Sequence, residues 1–332
     1  MKALRCNELG GPEKLSIEDI SVPELQANEV LVGIKSASVN FPDVLMIQGL
    51  YQYQPPLPFT PGAEAAGVIE AIGSDVNNYN IGDRVFVMAG AGCFAEKIAV
   101  EKNRVQPIPD DMGFDVAAAL TMTYGTSIYA LKQRANIQAG ETLLVMGASG
   151  GVGLSAVELG KAYGAKVIAA VSSAEKADVC KEHGADEIII YSPNGLGKDE
   201  QKEFSTTIKS LTGGLGANVV YDPVGGSYAE PAIRATAWDG RYLVIGFAAG
   251  EIPKPPLNLA LLKNCQIVGV FWGAWTAMFP EENLNNFKEL FDLFNKGKIN
   301  PRITDRFPLD QAANAIAHLG NRKAVGKVLI DV

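Results

Sequence analysis

The sequence predicts an α/β chain: a doubly wound parallel sheet flanked by helices, joined to a smaller, mainly β module. Three observations carry this. From residue 141 onward, apolar runs of strand length alternate with segments of helical period, the pattern of a parallel sheet covered on both faces. A glycine turn, Gly147-Ala-Ser-Gly150-Gly-Val-Gly153, stands where the first of those strands passes into its helix. Residues 1 to about 120 instead show short apolar runs separated by glycine, proline and asparagine turns, as in a small barrel or set of antiparallel sheets. At 332 residues the chain is long enough for two domains. The expected division is 1–122, completed by 264–332, for the β module and 123–263 for the alternating part.

In the β module, residues 30–34, 67–72, 84–88 and 94–100 read as strands. Between them lie Ser38-Val-Asn40-Phe-Pro-Asp43, then Tyr51 and Tyr53 before Pro55-Pro56, and Pro61-Gly-Ala-Glu64-Ala-Ala-Gly67. Aromatic side chains beside proline-fixed loops line ligand mouths well, giving contact area at low entropic cost. They also cap barrels, and both roles stay open. Glu64, in a Gly/Ala surround, reads as a structural carboxylate. Segments 115–120 and 123–134 read as two helices.

The alternating part opens with strand 142–146, the glycine turn, a helix carrying Leu154, Val157, Leu159 and Ala162 on its apolar face, and strand 166–171. Glycine tolerates positive φ and lets backbone lie against a pyrophosphate, while the helix that follows offers free N–H groups and a positive dipole end. Strand, turn, helix and second strand in that order predict a dinucleotide site of the Rossmann type. An NAD site has Asp or Glu about 20 residues past the turn, against the ribose 2′-hydroxyl. Here Ser172, Ser173 and Lys176 occupy that place. Two hydroxyls and an ammonium suit a 2′-phosphate, so the expected cofactor is NADP(H). Ser172-x-x-Glu175 also makes a capping box, and an N-cap is itself an anion site.

Further on, helices are expected at 175–183, 203–211 and 228–236, and strands at 187–191, 217–221 and 241–246. Ser172, Tyr191, Asp222, Gly246 and Phe247 fall at carboxyl ends of strands, where such sheets bind ligands. Segment 266–271 reads as an edge strand, expected to pair with its copy in a homodimer. Leu284, Phe287, Leu290, Phe291 and Phe294 form an apolar helical face, and 326–331 is a final strand returning to the first domain.

Composition excludes other classes. Net charge is −8 with no basic block, which argues against nucleic acid. No apolar run reaches membrane-span length, and no targeting segment is read at the start. Cys6, Cys93, Cys180 and Cys265 are scattered without a CxxC, so neither a disulfide framework nor a clustered metal site is expected, and a reducing cytoplasm is. His183 and His318, the two histidines, stand near helix ends where a cation is favoured.

Val39-Asn-Phe-Pro-Asp43, Pro61-Gly-Ala-Glu-Ala-Ala-Gly67, Gly82-Asp-Arg-Val85 and Ala148-Ser-Gly-Gly-Val-Gly153, in that order, resemble the medium-chain dehydrogenase/reductase superfamily over essentially the whole chain. Within it they are similar to the zinc-independent NADPH:quinone oxidoreductase, or zeta-crystallin-like, branch. The resemblance implies a Rossmann domain plus a GroES-like catalytic domain. It implies cofactor contacts from Gly150, Gly151 and Val152 at the pyrophosphate and from Ser172, Ser173 and Lys176 at the 2′-phosphate. Tyr191 would flank the adenine, and Asn40, Phe41 and Thr126 would lie near the nicotinamide. Gly246, Phe247, Phe271 and Trp272 would line the cleft, and Arg322 would reach in from the C-terminal segment. The zinc-ligand positions of the alcohol dehydrogenases fall on Asn40, Ala63 and Thr123, which lack zinc-binding side chains. The activity implied is hydride transfer from NADPH to a quinone, or to an enone, enal or enoyl-CoA. Tyr51, Tyr53, Asn40 and Thr126 are the candidate hydrogen-bond donors to the acceptor. A protein that binds NADPH without turning it over is the reading of another class.

Overall fold

The computed structural model describes residues Met1–Val332. The chain forms two compact units, Met1–Met122 with Pro301–Val332, and Thr123–Asn300.

The second unit is built on six parallel strands. Along the chain they are Thr142–Met146, Lys166–Val171, Glu187–Ile190, Ala217–Asp222, Thr236–Val244 and Gln266–Gly269. In space the third, second and first lie on one side and the fourth, fifth and sixth on the other. Strand order therefore reverses between Thr142–Met146 and Ala217–Asp222, and sheets of this kind bind ligands beyond the strand ends at such a reversal. Central strands bury both faces, Leu143 through Met146 and Val219 through Asp222 without a break, which is why their sequences read as continuous rather than alternating apolar runs.

The first unit holds a seven-stranded sheet. Glu29–Val39 is its long central strand, pairing with Lys327–Asp331 and Lys97–Glu101 along one side and with Glu64–Ile72 along the other. Arg84–Met88 and Val105–Pro107 extend the sheet beyond Glu64–Ile72, and Ile303–Pro308 lies parallel to Lys327–Asp331 at the far edge. Helix Ala312–Gly320 packs Ala315 and Ile316 into its core.

Three expectations are corrected. The return to the β module, expected at 264, begins at Pro301: Gln266–Gly269 pairs with Thr236–Val244, and helices Trp272–Met278 and Pro280–Asn295 stay in the second unit. The edge strand ends at Gly269, and Phe271 is the N-cap of the next helix. The two helices expected at 115–134 are a single one, Phe114–Ile128, running into a π turn at Tyr129–Arg134. Ala117 through Thr121 are buried along it, and Thr121 turns its hydroxyl back to Ala117 O at 2.8 Å, so the buried hydroxyl is satisfied within the helix.

Candidate functional site

Strand Thr142–Met146 ends at Gly147, whose φ of +57° only glycine adopts freely. Helix Gly151–Ala162 starts immediately, with Gly150 as its N-cap. That cap brings no side chain to the first turn, so the first-turn N–H groups stay open to an anion. A Cβ at Gly153 would lie 2.4 Å from Gly147 O and 2.7 Å from Ala148 Cα. Gly153 thus lets the helix press on the turn, while a Cβ at Gly150 would touch only Gly147 O at 3.5 Å. Gly150, Gly151 and Val152 are half-buried at this helix start.

Beyond strand Lys166–Val171, Ser173 caps helix Ala174–Glu182 by accepting from Lys176 N at 3.3 Å, and Lys176 Nζ donates to Ser172 Oγ at 3.3 Å. The cap is Ser173 rather than the expected Ser172, which frees the Ser172 hydroxyl to face the ammonium. Tyr191 follows the third strand, its N–H bonded to Val171 O at 2.9 Å.

The fourth and fifth strands end in a stitched pair of turns. Asp222 is buried, and Oδ1 accepts from Val224 N at 2.7 Å and Gly225 N at 2.9 Å, while Tyr242 OH donates to Oδ2. Burial pushes the Asp222 carboxyl up, against the lowering pull of those three bonds. Its job is to shape the turn. Val224 packs on Gly147, 2.8 Å from where a Cβ there would stand. Gly246 N and Ala248 N bond to Asp222 O and Pro223 O, and Phe247 closes on Gly225. Gly147, Val224, Gly246 and Phe247 are thereby gathered at one end of the sheet. Thr126 is half-buried on helix Phe114–Ile128, and its neighbour Ser127 is tied to the start of the helix after the glycine turn: Ser127 Oγ contacts Ser155 Oγ and Tyr221 OH, both at 2.8 Å, and donates to Val152 O. Trp272 is buried in the space left by the absent side chain of Gly125, with Nε1 donating to Asn283 Oδ1 at 3.2 Å, while Phe271 is exposed. Of these two expected cleft residues, Trp272 serves as packing.

In the first unit, Asn40 caps helix Phe41–Ile47. Its Oδ1 accepts from Lys327 Nζ at 2.8 Å, and its Nδ2 donates to Glu64 Oε1 at 2.6 Å and to Ser38 O at 3.2 Å. A carboxamide has two N–H groups, and both are engaged. Asn40 is corrected from a candidate donor to a residue with acceptor capacity only. Lys327 Nζ also meets Glu64 Oε1 at 3.0 Å, and Glu64 Oε2 accepts from Met122 N. Asp43, fully buried, accepts from Asn40 N at 2.7 Å and Gly62 N at 3.2 Å. Tyr51 is half-buried and Tyr53 exposed. Burial and then the Asp43 charge push the Tyr51 hydroxyl up. Arg322, in the turn after helix Ala312–Gly320, also belongs to this unit. Asp43 stands in a motif visible in the sequence, though with no role assigned there, and Lys327 is not singled out by sequence reading. The available signal was a lysine opening an otherwise apolar strand, Lys-Val-Leu-Ile, whose first four residues are all buried.

Comparison with known proteins bears on this site. A family profile described as zinc-binding dehydrogenase matches residues 151–293, and one described as alcohol dehydrogenase GroES-like domain matches 26–110. The chain is 39% identical over 334 residues to quinone oxidoreductase-like protein 2 homolog of Nematostella vectensis, covering 99% of this chain and 88% of that one. It is 34% identical to a quinone oxidoreductase of Pseudomonas aeruginosa, covering 99% of each. The chain belongs to the medium-chain dehydrogenase/reductase superfamily, in its quinone oxidoreductase-like branch. Among solved structures, quinone oxidoreductase of Escherichia coli complexed with NADPH matches with a TM-score of 0.90 at 28% identity, covering all of both chains. A mycobacterial protein complexed with NADPH matches with a TM-score of 0.93 at 31% identity, again over both whole chains. The superfamily's two domains are the GroES-like β unit and the Rossmann unit described above, and its chemistry is that of an oxidoreductase.

A catalytic zinc, which the family profile's description implies, does not fit the residues present. Asn40 and Ala63 offer no thiolate, imidazole or carboxylate, and the neighbouring carboxylate Glu64 is already neutralised by the Lys327 ammonium. No group of three or more His, Cys, Asp or Glu side chains is arranged to hold a metal ion.

Proposed function

We propose that this chain is a zinc-independent, NADPH-dependent reductase whose acceptor is a quinone. The observation that carries the cofactor half is the end of the second strand, where Ser172, Ser173 and Lys176 converge and Lys176 stands in no ion pair. A carboxylate there would repel a 2′-phosphate, whereas an ammonium and hydroxyls attract one. The open first turn at Gly150 and Gly151 fits the pyrophosphate. NADPH complexes of two whole-length structural relatives support the same reading.

When bound, NADPH supplies the hydride. The protein's part is to bind, orient and keep a proton available. Glycine-turn N–H groups would fix the pyrophosphate, and Lys176 would fix the adenosine end. With both Asn40 N–H groups engaged, the hydroxyls of Tyr51, Tyr53 and Thr126 remain as donors to an acceptor oxygen. No histidine or metal is needed for a quinone, whose oxygens take protons from water or such a hydroxyl.

The deciding experiment is NADPH oxidation with 1,4-benzoquinone, with an enone and with acryloyl-CoA, each beside NADH. Quinone-dependent oxidation with NADPH preferred over NADH is expected. A preference for the enone or acryloyl-CoA would move the acceptor to an activated double bond. Tight NADPH binding without any acceptor-dependent oxidation would make the chain a binding protein. Lys176→Ala should raise KM for NADPH about ten- to a hundredfold, the loss of one charge-assisted contact or two, and leave NADH nearly unchanged. Equal effects on both cofactors would sink the 2′-phosphate assignment. We further propose a homodimer joined through edge strand Gln266–Gly269, in a reducing cytoplasm that suits four free cysteines.

A further inference from the structure

Strand Glu187–Ile190 has a neighbour on one side only, at the outer edge of the six-stranded sheet. The loop after it, residues 192–197, cannot be held by flanking strands. Inside the loop the one bond is a long one, Asn194 N to Ser192 Oγ at 3.4 Å. Its far end is held by the helix that follows, where Glu200 Oε2 accepts from Gly197 N at 2.7 Å and Gln201 Nε2 donates to Leu196 O at 3.0 Å, and the rest is held by two hydroxyls from the turn beyond the fourth strand. Tyr228 OH donates to Ser192 O at 2.6 Å and accepts from Gly195 N at 2.9 Å. Ser227 Oγ accepts from Leu196 N at 2.8 Å. Gly195 has a φ of +95°, and a Cβ there would come 3.2 Å from Ser227 Oγ, so the loop backbone rests directly on the serine.

Tyr228 is buried, so water does not compete for its hydroxyl and the bonds count more than they would at a surface. Its ring packs against Tyr191, centroids 4.8 Å apart, and Tyr191 meets the edge of Phe204 at 6.2 Å. The short 3-10 turn Gly226–Tyr228 follows the Asp222 turn, the one that packs Val224 on Gly147. One rigid turn is therefore tied to the pyrophosphate loop on one side and to loop 192–197 on the other.

We infer that Ser227 and Tyr228 are positioning residues for the adenosine end of the NADP site, holding loop 192–197 as a wall beside Tyr191. This rests on the NADP reading above. Neither residue touches the cofactor; each acts through the loop. The hydroxyls set where the wall stands, so their loss weakens binding of the adenosine half and leaves hydride chemistry alone.

The test uses the intact chain with 2′,5′-ADP, which carries the adenosine and its 2′-phosphate without the nicotinamide. Titration calorimetry is run on wild type, Tyr228→Phe and Ser227→Ala, with hydrogen exchange followed over 192–197. Tyr228→Phe keeps the ring contact with Tyr191 and removes two hydrogen bonds. It should bind 2′,5′-ADP about five- to tenfold more weakly, in line with the net worth of such bonds. Exchange at 192–197 should quicken, and kcat at saturating NADPH should stay within about twofold. Ser227→Ala should show the same pattern, smaller, and serves also if Tyr228→Phe does not fold. If wild type binds 2′,5′-ADP and both variants bind it equally, the NADP reading stands and this inference is overturned. Unchanged exchange at 192–197 overturns it as well. Failure of wild type to bind 2′,5′-ADP overturns the NADP reading and the adenosine role together.

Discussion

Lys327 brings a charge into a place made of strands. Its ammonium and the Glu64 carboxylate are 4% and 1% exposed, so each depends on the other for what water would have given. Such a pair adds little net stability when intact, but losing one partner costs about 3–5 kcal/mol because a bare charge is left behind. Lys327→Met should therefore destabilise the chain by about that amount in urea unfolding. Adding Glu64→Gln should recover part of it, and strict additivity of the two changes would argue against a coupled pair. Asp43 makes the same cluster sensitive to pH. Burial pushes its carboxyl up to about 7, with Glu64 adding to the rise, while the Asn40 and Gly62 N–H bonds and the Lys327 charge oppose it. A folded value above the unfolded one means that the folded chain holds the proton more tightly. Stability contributed by protonated Asp43 is then full near pH 4 and is lost as pH rises to about 7. Asp43→Asn removes that dependence, and its lost acceptor costs the same at every pH. The stability difference between variant and wild type should shift by a few kcal/mol in the variant's favour between pH 4 and pH 7. Parallel stability curves would show that Asp43 does not titrate there.

Among elements, the glycine turn separates binding from folding. At Gly153 a Cβ meets backbone on two sides, and backbone cannot swing away as a side chain can. Gly153→Ala should push the helix off the turn and cost about 1–3 kcal/mol. At Gly150 the nearest atom is an ordinary 3.5 Å away. Gly150→Ala should leave thermal stability nearly unchanged and weaken NADPH binding, since the methyl enters the space a pyrophosphate needs. Comparable loss of stability in both variants would remove this distinction. Such a turn is legible in sequence because its geometry can be met only by glycine, and the strand and helix periods around it are local. Other parts were hidden because their causes are distant. Lys327 finds Glu64 and Asn40 at separations of 263 and 287 residues, and nothing in Lys-Val-Leu-Ile announces a carboxylate. Residues 264–300 looked like the way back to the β module because a four-residue strand does not encode its partner. Pairing with Thr236–Val244 decides where Gln266–Gly269 belongs. Asn40 was legible as a polar residue in a telling motif, yet its role depended on two neighbours that the motif does not contain. Ser227 and Tyr228 stand in an unremarked turn, and only the fold brings them under loop 192–197.

For the molecule as a whole, the open question of assembly turns on strand Gln266–Gly269. It closes one side of the six-stranded sheet, so its outer row of N–H and C=O groups has no strand to meet. Proteins that remain monomeric blunt such edges with lysine, proline or a bulge. Gln-Ile-Val-Gly has none of these, and the surface near it is apolar: Ile267 is 42% exposed and Phe271 60%. A two-fold axis through the edge would pair the strand with its own copy in antiparallel sense. The two six-stranded sheets would become continuous, and Ile267 and Phe271 would be covered on both copies. Light scattering at micromolar concentration should therefore give twice the 35.2 kDa chain mass. Ile267→Lys places a charge at the centre of that contact and meets its own copy there. It should yield a monomer with an unchanged far-UV spectrum, because Ile267 stands on the outer strand with 42% of its surface already exposed, and a lysine stem can carry its ammonium out to water from there. A wild-type monomer at that concentration, or an Ile267→Lys variant that stays dimeric, would mean that another surface, or none, joins the copies.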